Sequence, residues 1–326
     1  MISTVNTNIE DIPQISKEMK LIERELMRVI EESDEPVRGI LRDFFAGGKR
    51  LRPKLVLLSG LCFSPVNTKM IYSAVAAELI HTASLIHDDV IDRSDYRRNR
   101  PTINYVYGNH TAVLAGDFVF AKAFEVLCRY NLNRCMGYLV DAIQEMCAGE
   151  IMQARDSPDK TVDEDHYFRT IEKKTASLIA ACCKSGADCG KAGEVQIEKM
   201  GLFGLYLGYA FQIVDDILDV TGDTSEMGKP VAHDLEEGKI TLPYIYLLQD
   251  SVLGAKYRDI LSDRKLAAGM KAQIIRDLKQ SAAITKTYAK AEECVKKARE
   301  ILDGLPDSIY KEILTDLSGK VIKRNR

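Results

Sequence analysis

The sequence predicts an all-α protein, a single domain over residues 1–326 built as a helical bundle. Nearly every segment repeats its apolar residues at helical spacing, while the strict alternation of a half-buried strand is scarce. Short breakers, rather than linkers or low-complexity stretches, divide these segments, and no internal repeat is present.

Taken in order, periodicity predicts helices near 14–32 and 35–46, stopped by Gly47-Gly48, and near 53–62, with Pro53 in its first turn and Ser64-Pro65 after it. The next, 69–92, carries the apolar run MIYSAVAAELI and ends in three aspartates before Arg100-Pro101 breaks the chain. Helices near 111–130 and 133–154 run up to Ser157-Pro158. One near 163–188 is interrupted on its surface by Lys173-Lys174-Thr175, and one near 193–219 ends in aspartates again, ahead of Gly222 and Gly228-Lys229-Pro230. The remainder reads as helices near 240–248, 254–262, 267–280, 283–303 and 307–318. Helices this close together in sequence make one large helical core the economical expectation.

Composition narrows the functional classes. Hydrophobic residues make up 46% of the 326 and charged residues 29%, which suits a soluble core. A net charge of −3 gives no reason to expect a nucleic-acid partner. The eight cysteines form no C-x-x-C pair, so free, mostly buried thiols in a reducing compartment are expected, rather than disulfides or a zinc site. The N-terminal MISTVNTNIEDIPQ has no secretory apolar region, and no apolar run reaches the roughly 18 residues that span a bilayer, so a cytoplasmic location is expected.

The chemistry begins with Asp88, Asp89 and Asp92 and their echo at Asp215, Asp216 and Asp219. Residues four apart on a helix differ by about 40° and stand roughly 6 Å apart, so Asp88 shares a face with Asp92, and Asp215 with Asp219. Carboxylates about 4 Å apart repel by roughly 4 kcal/mol at an effective dielectric near 20. The C-terminal end of a helix is also the unfavourable end of the dipole for them. A solvated acidic helix end would be the plain explanation for one such motif. Two copies, each after a buried-looking segment, favour Mg²⁺, which takes oxygen ligands and bridges carboxylates to substrate phosphates. Neither segment has the glycine and spacing of a calcium loop.

Cations complement the acids. Gly47-Gly48-Lys49-Arg50-Leu51-Arg52-Pro53 puts three of them beside a helix N-terminus, a favourable anion site, though a basic surface loop would look the same. Arg97 and Arg98 follow the first acidic motif; Lys174 and Thr175 interrupt an apolar helix; Gln212 precedes Asp215 by three residues and is expected to face with it; Lys229 and Lys239 flank the loop after the second motif. His81 lies seven residues before Asp88, on the same face. The pattern asks for two anionic substrates, one held through Mg²⁺ and one through Lys and Arg directly.

On these residues the chain resembles the trans-isoprenyl diphosphate synthases, or polyprenyl synthetases. The motifs GGKRLRP, ELIHTASLIHDDVIDRSDYRR, the KTA at 174–176, FQIVDDILD and GKPVAHDLEEGKITLP carry the resemblance in order across essentially the whole chain. The resemblance implies an isoprenoid-synthase bundle around a deep central cavity, with the two DDxxD motifs facing each other at its mouth. It makes Asp88, Asp89, Asp92, Asp215, Asp216 and Asp219 ligands of a cluster of up to three Mg²⁺ ions. It puts Lys49, Arg52, His81 and Arg98 on isopentenyl diphosphate, and Arg97, Lys174, Thr175, Gln212, Lys229 and Lys239 on the allylic diphosphate. The catalytic set it implies is Asp88, Asp92, Lys174, Asp215 and Lys229. One departure is Asn99, where the family usually has glycine; asparagine tolerates a left-handed backbone better than most residues.

The implied reaction is ionisation of the allylic diphosphate, attack by the double bond of isopentenyl diphosphate, and proton loss to the released diphosphate. Family members with C15 or C20 products commonly carry a bulky residue beneath the first motif, where this chain has Ala83 and Ser84. An open floor favours elongation, by roughly 0.8 kcal/mol per buried CH₂. A product of about C30–C50 is therefore expected, for quinone side chains and membrane enzymes, grown from farnesyl diphosphate and stopped deeper down by residues such as Leu139 and Ile143. Within the family the chain is most similar to the catalytic component of heptaprenyl-type synthases, which pairs with a small non-catalytic subunit; homodimeric long-chain synthases look much the same. A short-chain synthase is the alternative. A class I terpene cyclase or a non-catalytic subunit fits less well, because both DDxxD motifs and the second diphosphate site are intact.

Overall fold

The computed structural model describes residues 12–323 except 43, 46, 47, 99, 156–162, 223–231 and 263–268. It is helical throughout: α1 (Ser16–Glu31), α2 (Val37–Arg42), α3 (Leu51–Leu61), α4 (Thr68–Ile91), α5 (Ile103–Tyr107), α6 (Asn109–Arg129), α7 (Asn133–Ala154), α8 (Glu164–Ile171), α9 (Ser177–Cys189), α10 (Glu194–Thr221), α11 (His233–Glu236), α12 (Leu242–Leu248), α13 (Leu253–Ser262), α14 (Met270–Gln280), α15 (Ala283–Asp303) and α16 (Ile309–Ile322). The only strands among the described residues are β1 (Tyr96–Arg97) and β2 (Arg100–Pro101), an antiparallel pair. No helix among the described residues is long and apolar enough to cross a membrane.

The chain divides into two compact units, one drawn from within Met1–Ile143, Ala181–Gly201 and Leu305–Leu317, the other from within Gln144–Ala180, Leu202–Gly304 and Ser318–Arg326. In the first, α4 is the central element, packed by α6, α3 and α1. Residues Met70, Ala74, Ala77, Ile80 and Ala83 are all fully buried and lie on several faces of α4, the signature of a helix enclosed by others rather than of a surface helix. Asn67 caps it by accepting from the Met70 amide at 3.1 Å. In the second unit, Val220, Leu235, Tyr244, Leu247, Tyr257, Ile274 and Leu278 form one apolar cluster beneath the end of α10.

The expected helices are present, with differences that have local causes. The segment read as 35–46 stops as a helix at Arg42, and α3 begins at Leu51, so Arg52 already stands in its first turn. The interruption read at Lys173-Lys174-Thr175 is a π-helical turn, Glu172–Ala176, between α8 and α9. Helices α5 and α11 are too short to show a period and escape a periodicity reading.

Candidate active site

In the first unit, α4 carries His81, Ser84, Asp88, Asp89 and Asp92 towards its C-terminal end, where Asp92 is the cap residue. Asp88 and Asp92 are half-buried and share a face, whereas Asp89, rotated by about 100°, is buried at 1% exposure. The Arg97 Nε donates to Asp89 Oδ1 at 2.8 Å. The middle aspartate thus orients an arginine through one of its two oxygens.

The same unit holds a cavity of about 740 Å³ lined by Gly48, Arg50, Glu78, His81, Arg97 and Arg98, among others. Arg50 and Arg98 adopt left-handed backbone, φ 49° and 51°. That conformation costs a non-glycine residue roughly 1–2 kcal/mol and persists where contacts over-determine it. For Arg50 those contacts are visible. Its guanidinium donates to Glu23 Oε1 at 2.5 Å, Glu78 Oε1 at 3.0 Å and the Phe45 carbonyl at 2.8 Å, while the Lys54 ammonium donates to the Lys49 carbonyl at 2.8 Å. Arg50 is therefore buried and committed to protein carboxylates, whereas Lys49 is exposed and Arg52 half-buried. Burial first, then the charges of Arg52, Arg98, Arg97 and Arg50, hold His81 well below its ordinary range, so it presents a neutral imidazole. At Gly48, φ is +111° and an added Cβ would stand 2.9 Å from the Arg98 guanidinium, so this glycine leaves room for that arginine.

In the second unit, α10 carries Gln212, Asp215, Asp216 and Asp219. Gln212 was expected to face with Asp215, yet its amide donates to Asp216 Oδ1 at 2.9 Å, the i+4 partner. Asp216 Oδ2 accepts from the buried Tyr167 hydroxyl at 2.6 Å, and Thr175 donates to Gln212 Oε1 at 2.8 Å. Asp216 is 2% exposed; burial, then the neighbouring Asp234 carboxylate, raises it well above the ordinary carboxylate range. Both Asp216 oxygens thus accept from protein donors, Oδ1 from Gln212 and Oδ2 from Tyr167. Asp215 and Asp219 remain half-buried.

The π-turn presents Lys173, Lys174 and Thr175 together, and such turns recur at functional sites. Lys174 Nζ bonds Gln153 Oε1 and Glu150 Oε2, each at 2.5 Å, and Lys173 pairs with Glu145. Lys239 pairs with Glu237 at 2.6 Å. Lys229 lies outside the described residues, as does Asn99.

The donor sets fit Mg²⁺. Asp219 Oδ2 is buried with no hydrogen-bond partner, a carboxylate oxygen with capacity for a cation. Burial first, then Asp234, raises Asp219 to about 6. Because the folded value lies above that of the unfolded chain, the protonated form is favoured below pH 6 and ionisation on raising pH works against stability. Metal binding requires the ionised form. Mg²⁺ affinity measured by calorimetry is therefore expected to fall at least several-fold between pH 7.5 and 5; a constant affinity would remove Asp219 from the metal set.

The missed residues are Arg50, Glu78, Glu23 and Tyr167. A signal for the first pair was available: Glu78 is the lone charge in the run SAVAAELI, and a buried carboxylate requires a cation.

Comparison with known proteins gives one answer. The family model described as polyprenyl synthetase matches residues 34–278. The chain is 38% identical to "Heptaprenyl diphosphate synthase component 2" of Geobacillus stearothermophilus over 312 residues, covering 95% of this chain and 97% of that one. It is 32% identical to "Octaprenyl diphosphate synthase" of Haemophilus influenzae, covering 97% and 99%. The crystal structure of a heptaprenyl diphosphate synthase from Staphylococcus aureus superposes with a TM-score of 0.89 at 32% identity, over 98% of this chain and 99% of that one.

Proposed function

The chain belongs to the polyprenyl synthetase family, and from that premise we propose that it is a prenyltransferase that adds isopentenyl diphosphate to an allylic diphosphate and repeats the addition to give a long, all-trans product of about C30–C50. The observation that carries this proposal is that the chain holds two acidic helix ends, one in each unit, and a cationic cavity in the first. Each of two anionic substrates thus has its own chemistry of recognition.

In this proposal Lys49, Arg52, Arg98 and neutral His81 hold the diphosphate of isopentenyl diphosphate. Asp88 and Asp92, with Asp215 and Asp219, would hold Mg²⁺, whose bound charge favours departure of the allylic diphosphate. Asp89 and Asp216 orient Arg97 and Gln212 respectively. Arg97, Lys174, Thr175, Gln212 and Lys239, with Lys229, face the allylic diphosphate. Lys174 would exchange Glu150 and Gln153 for phosphate oxygens. The C–O bond of the allylic diphosphate breaks, the new C–C bond forms, and the released diphosphate takes the proton. We read residues 1–326 as one domain: four of the five unit boundaries fall inside α7, α9, α10 and α16, and the fifth in the short turn after α15.

Product length rests on the position beneath Asp88. Ala83 is fully buried, while Ser84 is half-buried and donates to the His81 carbonyl at 2.9 Å. Ser84 is thus the less enclosed of the two small residues; Leu139 is fully buried and Ile143 half-buried. Ser84→Phe is expected to shift the product to C15–C20, read by chromatography of the dephosphorylated products. Unchanged length would exclude this position. The decisive assay incubates the chain with farnesyl diphosphate, labelled isopentenyl diphosphate and Mg²⁺, with and without a candidate small subunit, and sizes the product. Release of C15 or C20 alone would favour the short-chain alternative.

A surface suited to subunit pairing is the exposed apolar run Ile91, Tyr96, Tyr105, Tyr107 and Leu114, each at least 50% exposed. It supports a dimer, either of this chain with itself or with a small partner.

A further inference from the structure

Cys135 stands in the first turn of α7 and Cys189 is the last residue of α9. Both are buried, and their sulfurs are 3.5 Å apart. A disulfide requires about 2.05 Å, so an approach of roughly 1.5 Å at two helix ends closes the bond. The remaining cysteines form no hydrogen-bonded sulfur pair among the described residues, Cys128 and Cys147 being exposed.

Two further observations point to chemistry at this pair. Ser73 and Ser185 are fully buried, and their hydroxyls stand beside the Cys135 sulfur. A thiol is a weak acceptor whereas a thiolate is a strong one, so hydroxyl donors beside it suit a sulfur that becomes charged. The Cys189 thiol above all, with Ser73 and Ser185, draws Cys135 below the ordinary thiol range against burial and the Asp188 carboxylate, whose Oδ2 lies 3.9 Å from the Cys135 sulfur. Cys189 forms part of the wall of an open cavity of about 620 Å³, lined also by Asn67, Lys69, Arg134 and Lys191. The Asn67 amide donates to the Cys189 carbonyl at 2.9 Å, fixing this site at the N-terminus of α4, roughly 30 Å along that helix from Asp88.

We propose that Cys135 and Cys189 are a hydroperoxide-responsive dithiol that closes into an internal disulfide. One sulfur, as thiolate, attacks a peroxide oxygen and breaks the O–O bond, giving a sulfenic acid and an alcohol or water. The second sulfur then displaces water from the first. Two thiols lose two electrons and two protons, and the hydroperoxide is reduced by the same two electrons. In a reducing compartment the pair rests as thiols, in keeping with the cysteine usage of the chain.

The test uses the full chain, reduced, freed of reductant, treated with hydrogen peroxide, and alkylated in denaturant before peptide mapping by mass spectrometry. The expected result is a Cys135–Cys189 peptide pair lighter by two hydrogens, formed within one polypeptide and reversed by dithiothreitol. It should form equally in the Cys128→Ser/Cys147→Ser variant and be absent from Cys189→Ser. Full alkylation of both residues after peroxide, or pairing of either with an exposed cysteine instead, overturns the proposal. If Cys189→Ser fails to fold, mapping of the parent chain alone still decides.

Discussion

Asp88→Ala and Asp215→Ala are each expected to lower turnover by roughly a thousandfold or more, with helix content and the melting temperature staying near those of the parent. A thousandfold corresponds to about 4 kcal/mol of transition-state stabilisation, within what carboxylate-held metal supplies to a departing oxyanion. Stability is spared for a physical reason. Asp88 is half-buried beside Asp89 and Asp92 at the unfavourable end of α4, so its removal relieves repulsion in the metal-free fold. Single-turnover kinetics with farnesyl diphosphate, alongside circular dichroism, reads both quantities. The buried neighbour should behave in the opposite way. Asp89→Ala strips Arg97 of its partner and takes stability with it. Near-normal condensation by Asp88→Ala would remove the acidic end of α4 from the mechanism.

Arg50→Met is the second large effect, and it falls on stability and on one substrate together. The substitution leaves Glu78, 4% exposed, without its cation; removing one partner of a buried pair costs about 3–5 kcal/mol. The Glu23 arm, with 43% of its side chain exposed, adds at most about 1 kcal/mol. A melting temperature lower by roughly 10 °C follows. The Arg50 contacts to Glu78 and to the Phe45 carbonyl also fix the loop that carries Lys49 and the start of α3 that carries Arg52. The KM for isopentenyl diphosphate should therefore rise about tenfold or more, with the KM for the allylic substrate little changed. Pairing Arg50→Met with Glu78→Gln should restore much of the melting temperature but not the KM. Equal rises in both KM values would make Arg50 a general structural residue rather than one that positions this cavity.

Legibility in the sequence followed the physics of each feature. Long helices announce themselves because burial imposes a 3.6-residue period, as in α10 and α15. The acidic motifs were legible because spacing alone puts Asp88 with Asp92, and Asp215 with Asp219, on common faces. Which aspartate turns inward was not, because α4 is apolar on several sides and its pattern names no single buried face. The 100° offset of Asp89 from Asp88 shows only that the two differ. Gln212 illustrates the same limit: residues three and four ahead both lie within reach, and Tyr167, fixed by another helix, decides that Asp216 is the one bonded. Arg50 was grouped with its basic neighbours because loop composition carries no record of the carboxylates that fold places opposite it.

The π-turn at Glu172–Ala176 has a meaning for how this protein can vary. A wider turn holds one residue more than the α-helix on either side, so the segment is counted rather than composed. Deleting a single residue there would let the ladder relax to an ordinary helix and swing Lys174 about 100° around the axis, with every side chain chemistry intact. Substitutions on the outer surface of this stretch should be tolerable, whereas a one-residue change in its length would act as a mutation of the residues proposed to bind phosphate.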